Sequence, residues 1–228
     1  MVVALWSAKG GSGVTVCAVG VGVGTADSGT DTLLVDARGD MAAVCGIADP
    51  ANGIWDWAAT SAPATPAALG RIEVRLGERL SLLGCGYPRA VTADGRATVG
   101  QPVHTLAKLL LVDSRQVVVD LGELSDRPGP ELELATALRD GGASMLLVTR
   151  ACYLSVRRAT RLGLRADGIV VVREPGRALQ DDDLSAVIGA PVVATVDTDP
   201  AVSRSVDAGM LVHRRIRPFL RSVRKAVA

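Results

Sequence analysis

Three stretches carry residues whose types and spacing could grip a phosphate and a metal ion together. The first is Ser7-Ala8-Lys9-Gly10-Gly11-Ser12-Gly13-Val14-Thr15, which follows an apolar β-branched run and precedes a helical stretch. Glycines let backbone N–H groups converge on an anion without Cβ clashes, and a helix N-terminus adds its dipole. A threonine hydroxyl at the end of such a loop can ligate Mg²⁺. The other two stretches, Leu33-Leu34-Val35-Asp36 and Val117-Val118-Val119-Asp120, are apolar strands that each end in a carboxylate. A glycine turn alone also closes strand-to-helix corners with no ligand present. Loop and carboxylates together, at the C-terminal edge of one parallel sheet, point instead to a nucleotide–Mg²⁺ crevice.

The elements that must position these groups follow from the alternation along the chain. Strand-like runs fall at Val2–Trp6, Thr32–Val35, Gln116–Asp120, Ser144–Thr149, Gly168–Val172 and Pro191–Val196, with helical segments between most of them. One such segment is Tyr153–Leu164, where Leu154, Leu162 and Leu164 alternate with arginines. Continuous apolar strands separated by helices predict an α/β fold: a doubly wound, mostly parallel sheet with helices on both faces. Ile72–Leu83 reads instead as a hairpin or edge pair inserted between the two halves. Thr60–Ala68, rich in Ala, Pro and Thr, reads as a surface connection. Residues 1–228 are therefore read as one domain with a basic helix at about 218–227.

Composition removes several other classes. The 228 residues carry 25 Lys plus Arg against 24 Asp plus Glu, a net charge of +1, so the chain is not globally basic. A hydrophobic fraction of 48% argues against disorder. Cys17, Cys45, Cys85 and Cys152 are far apart and have no nearby histidine, which disfavours both zinc ligation and a disulfide framework. With only His104 and His213 available, HExxH zinc chemistry is excluded, and a Ser-His-Asp triad has no local signature. The apolar stretch Val14–Val23 is too short to span a membrane and the N-terminus has no targeting pattern, so a cytoplasmic protein is expected.

Lys9-Gly10-Gly11-Ser12-Gly13-Val14-Thr15 resembles the deviant Walker A motif, KGGxGK[ST], of the MinD/ParA ATPases, and the likeness runs over nearly the whole chain. Leu34-Val35-Asp36 resembles that family's switch I strand end, and Val118-Val119-Asp120-Leu121-Gly122 its Walker B strand with the start of switch II. Asp197-Thr198-Asp199-Pro200 is similar to its adenine-side loop, and the arrangement is nearest the pilus-assembly and septum-site branch. The resemblance implies a switch that binds ATP and Mg²⁺. Lys9, Gly10, Gly11, Ser12, Gly13, Val14, Thr15 and Val16 would line the phosphates, with Arg173 and Asp197 beside the nucleotide. Thr15, Asp36 and Asp120 would hold the metal, and Lys9 would reach across to a second subunit's phosphates. It also implies a homodimer, or a heterodimer with a paralogue, that serves a cargo or activating protein. The surface it would meet is a membrane or non-specific DNA.

Two positions depart from that pattern. Val14 stands where the ordinary P-loop lysine belongs. Hydrogen bonds to charged groups contribute about 1.5–3 kcal/mol each, so losing one or two weakens nucleotide binding roughly ten- to several-thousand-fold. In Asp36-Ala37-Arg38, Arg38 replaces the family's second switch I aspartate, and a guanidinium cannot act as a base. Asp40, two residues further on, is the substitute catalytic candidate. Both changes favour the alternative of a catalytically inactive scaffold of the same fold. A third reading, an iron-protein-like electron carrier suggested by Gly84-Cys85-Gly86, lacks a second thiolate anywhere in Leu121–Arg139.

Three more features bear on partners. Gly20, Gly22 and Gly24 sit in the helix after the loop, each costing about 1 kcal/mol relative to Ala, and codon drift is the plain account of them. In the tail, Phe219, Leu220, Val223 and Val227 share one helical face and Arg221, Arg224 and Lys225 another. That is either a membrane-surface anchor or a final helix packed on the body. Arg157, Arg158, Arg161 and Arg165 fall near one face, as a phosphate-gripping patch or a solvated one.

Overall fold

The computed structural model describes residues 1–59, 64–86 and 100–227. Each of the six apolar runs forms a strand: β1 (Val2–Ser7), β2 (Thr32–Asp36), β5 (Gln116–Glu123), β6 (Ser144–Arg150), β7 (Gly168–Arg173) and β8 (Val192–Asp197). The inserted pair is β3 (Glu73–Arg75) and β4 (Leu80–Leu83). Among the described residues these eight strands form one sheet in the order β3-β4-β2-β5-β1-β6-β7-β8. All pairings are parallel except β3 with β4. The antiparallel β3 therefore occupies the edge, where Arg115 clamps Glu73 through two bonds of 2.8 Å and also grips Asp113.

Side chains alternate along each strand, so β1 supplies both cores. Val2, Ala4 and Trp6 pack under α3 (Ile54–Ala58), α5 (Gly100–Leu111), α6 (Pro130–Asp140), α7 (Tyr153–Leu162) and α8 (Asp181–Ile188). Val3 and Leu5 pack under α1 (Val14–Ala26), α2 (Met41–Cys45), α9 (Pro200–Asp207) and α10 (Arg217–Arg224). This is the doubly wound arrangement expected from the sequence. Of the Thr60–Ala68 connection, residues 60–63 lie outside the described residues, and Pro66–Gly70 forms the short helix α4, capped by Thr65 Oγ1.

The glycines of α1 have a packing reason, which replaces the codon-drift account. A Cβ on Gly20 would lie 2.6 Å from the Phe219 ring, one on Gly22 2.5 Å from Leu34, and one on Gly24 2.7 Å from the Arg224 stem. Gly20 and Gly24 let α10 lie directly on α1, while Gly22 lets α1 lie directly on the sheet. Phe219, Leu220 and Val223 are consequently buried, so the tail's main apolar face is spent on the body. Among the described residues no helix is long and apolar enough to cross a membrane.

On α7 the buried residues are Ser155, Val156 and Ala159. Leu154, one of the leucines that alternate with arginines along this helix, is exposed beside Tyr153 at the helix start. Trp55 is a core anchor whose Nε1–H donates to Ala37 O at 3.2 Å.

Candidate functional site

The loop folds as its glycines require. Gly11 (φ 71°) and Gly13 (φ 91°) are left-handed, a conformation that side-chain-bearing residues rarely adopt. Ser7 Oγ and Ser12 Oγ both donate to Lys9 O, at 3.0 and 2.6 Å, which closes the turn. Gly13 offers α1 no side-chain cap and the first turn holds no carboxylate, so the helix N-terminus faces the crevice with its dipole uncompensated.

Asp36 and Asp120 sit side by side, paired across β2 and β5. Their roles differ. Asp36 is spent on the turn after β2: Oδ1 accepts from the N–H groups of Arg38 (2.8 Å) and Gly39 (2.7 Å), and Oδ2 from that of Met41 (2.9 Å). Burial nevertheless pushes its carboxyl above the ordinary value, against those three bonds. Asp120 is fully buried, and only its Oδ1 is satisfied, by Gly122 N–H at 2.8 Å. Its Oδ2 has no partner within hydrogen-bond geometry. The carboxyl is pushed up to about 7, chiefly by burial and further by Asp36 and Asp40, while the nearby Thr15 hydroxyl pulls the other way. A buried carboxylate with one oxygen unpaired beside a threonine hydroxyl is a donor set suited to a hard divalent cation.

Lys9 is half-buried. The carboxyl of Glu174, which pairs with Arg177 and Arg150 at 2.5 Å each, lies below its ordinary value chiefly through the bond from Arg177, with the charges of Arg150 and, least, Lys9 adding to it. Burial raises the Cys152 thiol, but Ser155 O–H and N–H, with Lys9 and Arg177, bring it below the ordinary value. Gly13, Val16 and Asp197 line a cavity of about 270 Å³ with Cys17, Val202 and Phe219. Arg173 lies in the adjoining cavity with Asp197 and is ion-paired with Asp181. The structure thus brings the loop, Thr15, Val16, Asp36, Asp120 and Asp197 to one edge of the sheet.

Three placements bear on the departures from the motif. The Val14 side chain is buried in the apolar cluster with Val3, Leu5 and Cys17 and presents nothing polar to the loop. Asp40 is exposed at the start of α2, caps nothing, and acts on Asp36 and Asp120 by repulsion. Glu123 was not anticipated. It ends β5, and a Cβ on Gly10 would lie 2.8 Å from its Oε2, so a carboxylate leans on the loop while Arg158 holds its other oxygen at 3.5 Å. The signal was available, since Glu123 lies only three residues beyond Asp120 on the same strand.

Three of the four arginines in the row Arg157, Arg158, Arg161 and Arg165 line two cavities. Arg158 and Arg161 line an open cavity of about 510 Å³ with Ala8, Arg38 and Arg127, whereas Arg165 lies with Arg139 and Asp167 at a separate depression. Cys85 lines a third cavity, of about 310 Å³, beside Trp55 and the Asp36 turn.

No protein-family model matches the chain. A curated relative, the ribose import ATP-binding protein RbsA 2 of Rubrobacter xylanophilus, is 28% identical over 127 residues. That match covers 54% of this chain and 24% of the relative, so the chain spans about a quarter of that protein's length. Solved structures match far more of the chain. The MinD cell division protein of Aquifex aeolicus superposes with a TM-score of 0.75 at 17% identity, covering 98% of this chain and 93% of its own. The ParA family ATPase of Chlorobium tepidum gives 0.75 at 17%, covering 98% and 97%. The septum site-determining protein MinD of Pyrococcus horikoshii, complexed with Mg-ADP, gives 0.72 at 18%, covering 99% and 94%. At these identities the likeness is one of architecture, extending over essentially the whole chain: this protein has the fold of the MinD and ParA ATPases.

Proposed function

We propose that the chain is a nucleotide-dependent switch that binds ATP and Mg²⁺ in the Lys9–Val16 loop and pairs with a second copy or a paralogue while the nucleotide is held. It would serve spatial positioning, at a septum site, on a partitioned chromosome or plasmid, or in pilus machinery. The observation that carries this reading is the buried, unpaired Asp120 Oδ2 beside Thr15, at the end of a loop whose helix N-terminus is uncapped. Thr15 Oγ1 and Asp120 Oδ2 would hold the metal, with Asp36 fixing the switch turn behind them. When bound, Mg²⁺ would supply charge neutralisation at the phosphate oxygens. The loop N–H groups and Lys9 would grip the phosphates, and the cavity at Gly13, Val16 and Asp197 would take the base. The solved MinD with Mg-ADP supports the ligand class through the shared architecture.

A second reading is a scaffold that has kept the fold and the pairing surface and lost turnover. Burial of Val14, the replacement of the switch I aspartate by Arg38, and the Glu123 carboxylate against Gly10 support it. Phosphoryl transfer depends on positioning and charge stabilisation, and each of these features reduces one of them. Single-turnover hydrolysis measured beside the oligomeric state separates the two readings. ATP-dependent pairing with slow hydrolysis supports the switch; pairing that ignores nucleotide supports the scaffold.

A further inference from the structure

We infer that Arg38 supplies, to the terminal phosphate of a bound triphosphate, the positive charge that Val14 removes from the loop, and so sets a preference for ATP over ADP. The inference rests on the nucleotide-binding reading above and adds a residue to it. The two ends of the loop open on different cavities. Gly13 and Val16 border the one with Asp197, and Ala8 borders the one with Arg38 and Glu123. A nucleotide laid along the loop with its base beside Asp197 therefore ends, at its outermost phosphate, on the Arg38 side.

Arg38 is built into that position. Its backbone N–H is held by Asp36 Oδ1, and its side-chain stem lies directly across Gly122, two residues beyond Asp120. Gly122 has φ 60°, and any Cβ there would collide with Arg38 Cγ, so the glycine is what admits the arginine. The side chain is 41% exposed, and the guanidinium's ion pair among the described residues is a long one, Nη1 to Glu131 Oε1 at 3.3 Å. A side chain with five donors and one weak partner can turn to a phosphate at little cost. Arg158 is the rival in the same cavity, reaching Glu123 at 3.5 Å from α7, but only Arg38 is held at its backbone by Asp36, the strand partner of Asp120. An arginine is useless as a base at this position and well suited as a phosphate ligand.

The test is equilibrium titration of the full-length protein with Mg-ATP and with Mg-ADP, in wild type, Arg38→Gln, Arg38→Lys and Glu131→Gln, with thermal unfolding to check that each variant is folded. Arg38→Gln is expected to weaken ATP roughly ten- to hundred-fold and to change ADP by less than about twofold. Arg38→Lys is expected to fall between, and Glu131→Gln, which frees the guanidinium, to tighten ATP. Equal loss for both nucleotides, or no loss for either, in a wild type that binds ATP overturns the role of Arg38 alone. A wild type that binds neither nucleotide overturns the nucleotide-binding reading and this inference with it.

Discussion

Replacing Asp120 by Asn should make the ligand-free protein more stable while removing its response to metal. Burial is the main force that pushes this carboxyl from its ordinary 3.8 up to about 7, with Asp36 and Asp40 adding repulsion. That is a displacement of roughly three pH units at about 1.4 kcal/mol each, so the ionised group costs the folded state up to about 4 kcal/mol. The sign follows from proton binding. The folded protein holds this proton more tightly than the unfolded chain. The penalty is therefore absent below about pH 4, grows as pH rises through about 4 to 7, and is complete above about pH 7. Asn keeps an acceptor for Gly122 N–H and removes the charge. Thermal unfolding of nucleotide- and metal-free protein should then show Asp120→Asn melting several degrees higher at about pH 8, given about 2–4 °C per kcal/mol for a chain of this size. The gap should narrow towards about pH 5 and close by about pH 4, and Mg²⁺ with nucleotide should stabilise only the wild type. A wild type as stable as the variant at alkaline pH, without metal, would refute the reasoning, because the carboxylate would then have a favourable partner in the apo state.

Three further outcomes follow from particular contacts. Gly20→Ala, which would stabilise an ordinary helix by about 1 kcal/mol, should instead destabilise by about 1–3 kcal/mol, because its Cβ meets the Phe219 ring. Chemical denaturation measures it, and Phe219→Leu in the same background should recover part of the loss. Cys152 should alkylate faster than Cys17, Cys45 or Cys85, whose thiols burial pushes up to about 12, and Mg-ATP should protect it through Lys9. Mass spectrometry of the labelled peptides checks this. Glu123→Gln should tighten Mg-ATP by on the order of tenfold in a titration, since it removes a negative charge leaning on Gly10.

The fold was legible because its strands are continuous apolar runs, and the carboxylates at Asp36 and Asp120 were legible because each ends such a run. The site's edge followed from parallel topology alone. What the sequence hid was set by contacts between distant segments. Gly20 and Gly24 look like weak helix formers until Phe219 and Arg224, some 200 positions on, are seen lying against them. Arg38 looks like a lost aspartate until its stem is seen on Gly122. Leu154, one of the leucines that alternate with arginines along α7, is exposed, because α7 meets the sheet through the smaller Ser155, Val156 and Ala159. The difference in hydrogen bonding between Asp36 and Asp120 has a local cause, since three backbone N–H groups of one turn occupy the first and a single one reaches the second.

Direct titration of the purified protein with ATP and Mg²⁺, beside Lys9→Ala, tests the central claim that this loop holds a nucleotide although Val14 lies in the core. The account predicts dissociation in the micromolar range for the wild type, lost in Lys9→Ala. No binding up to millimolar ATP would contradict it and leave a chain that has kept the fold without the ligand.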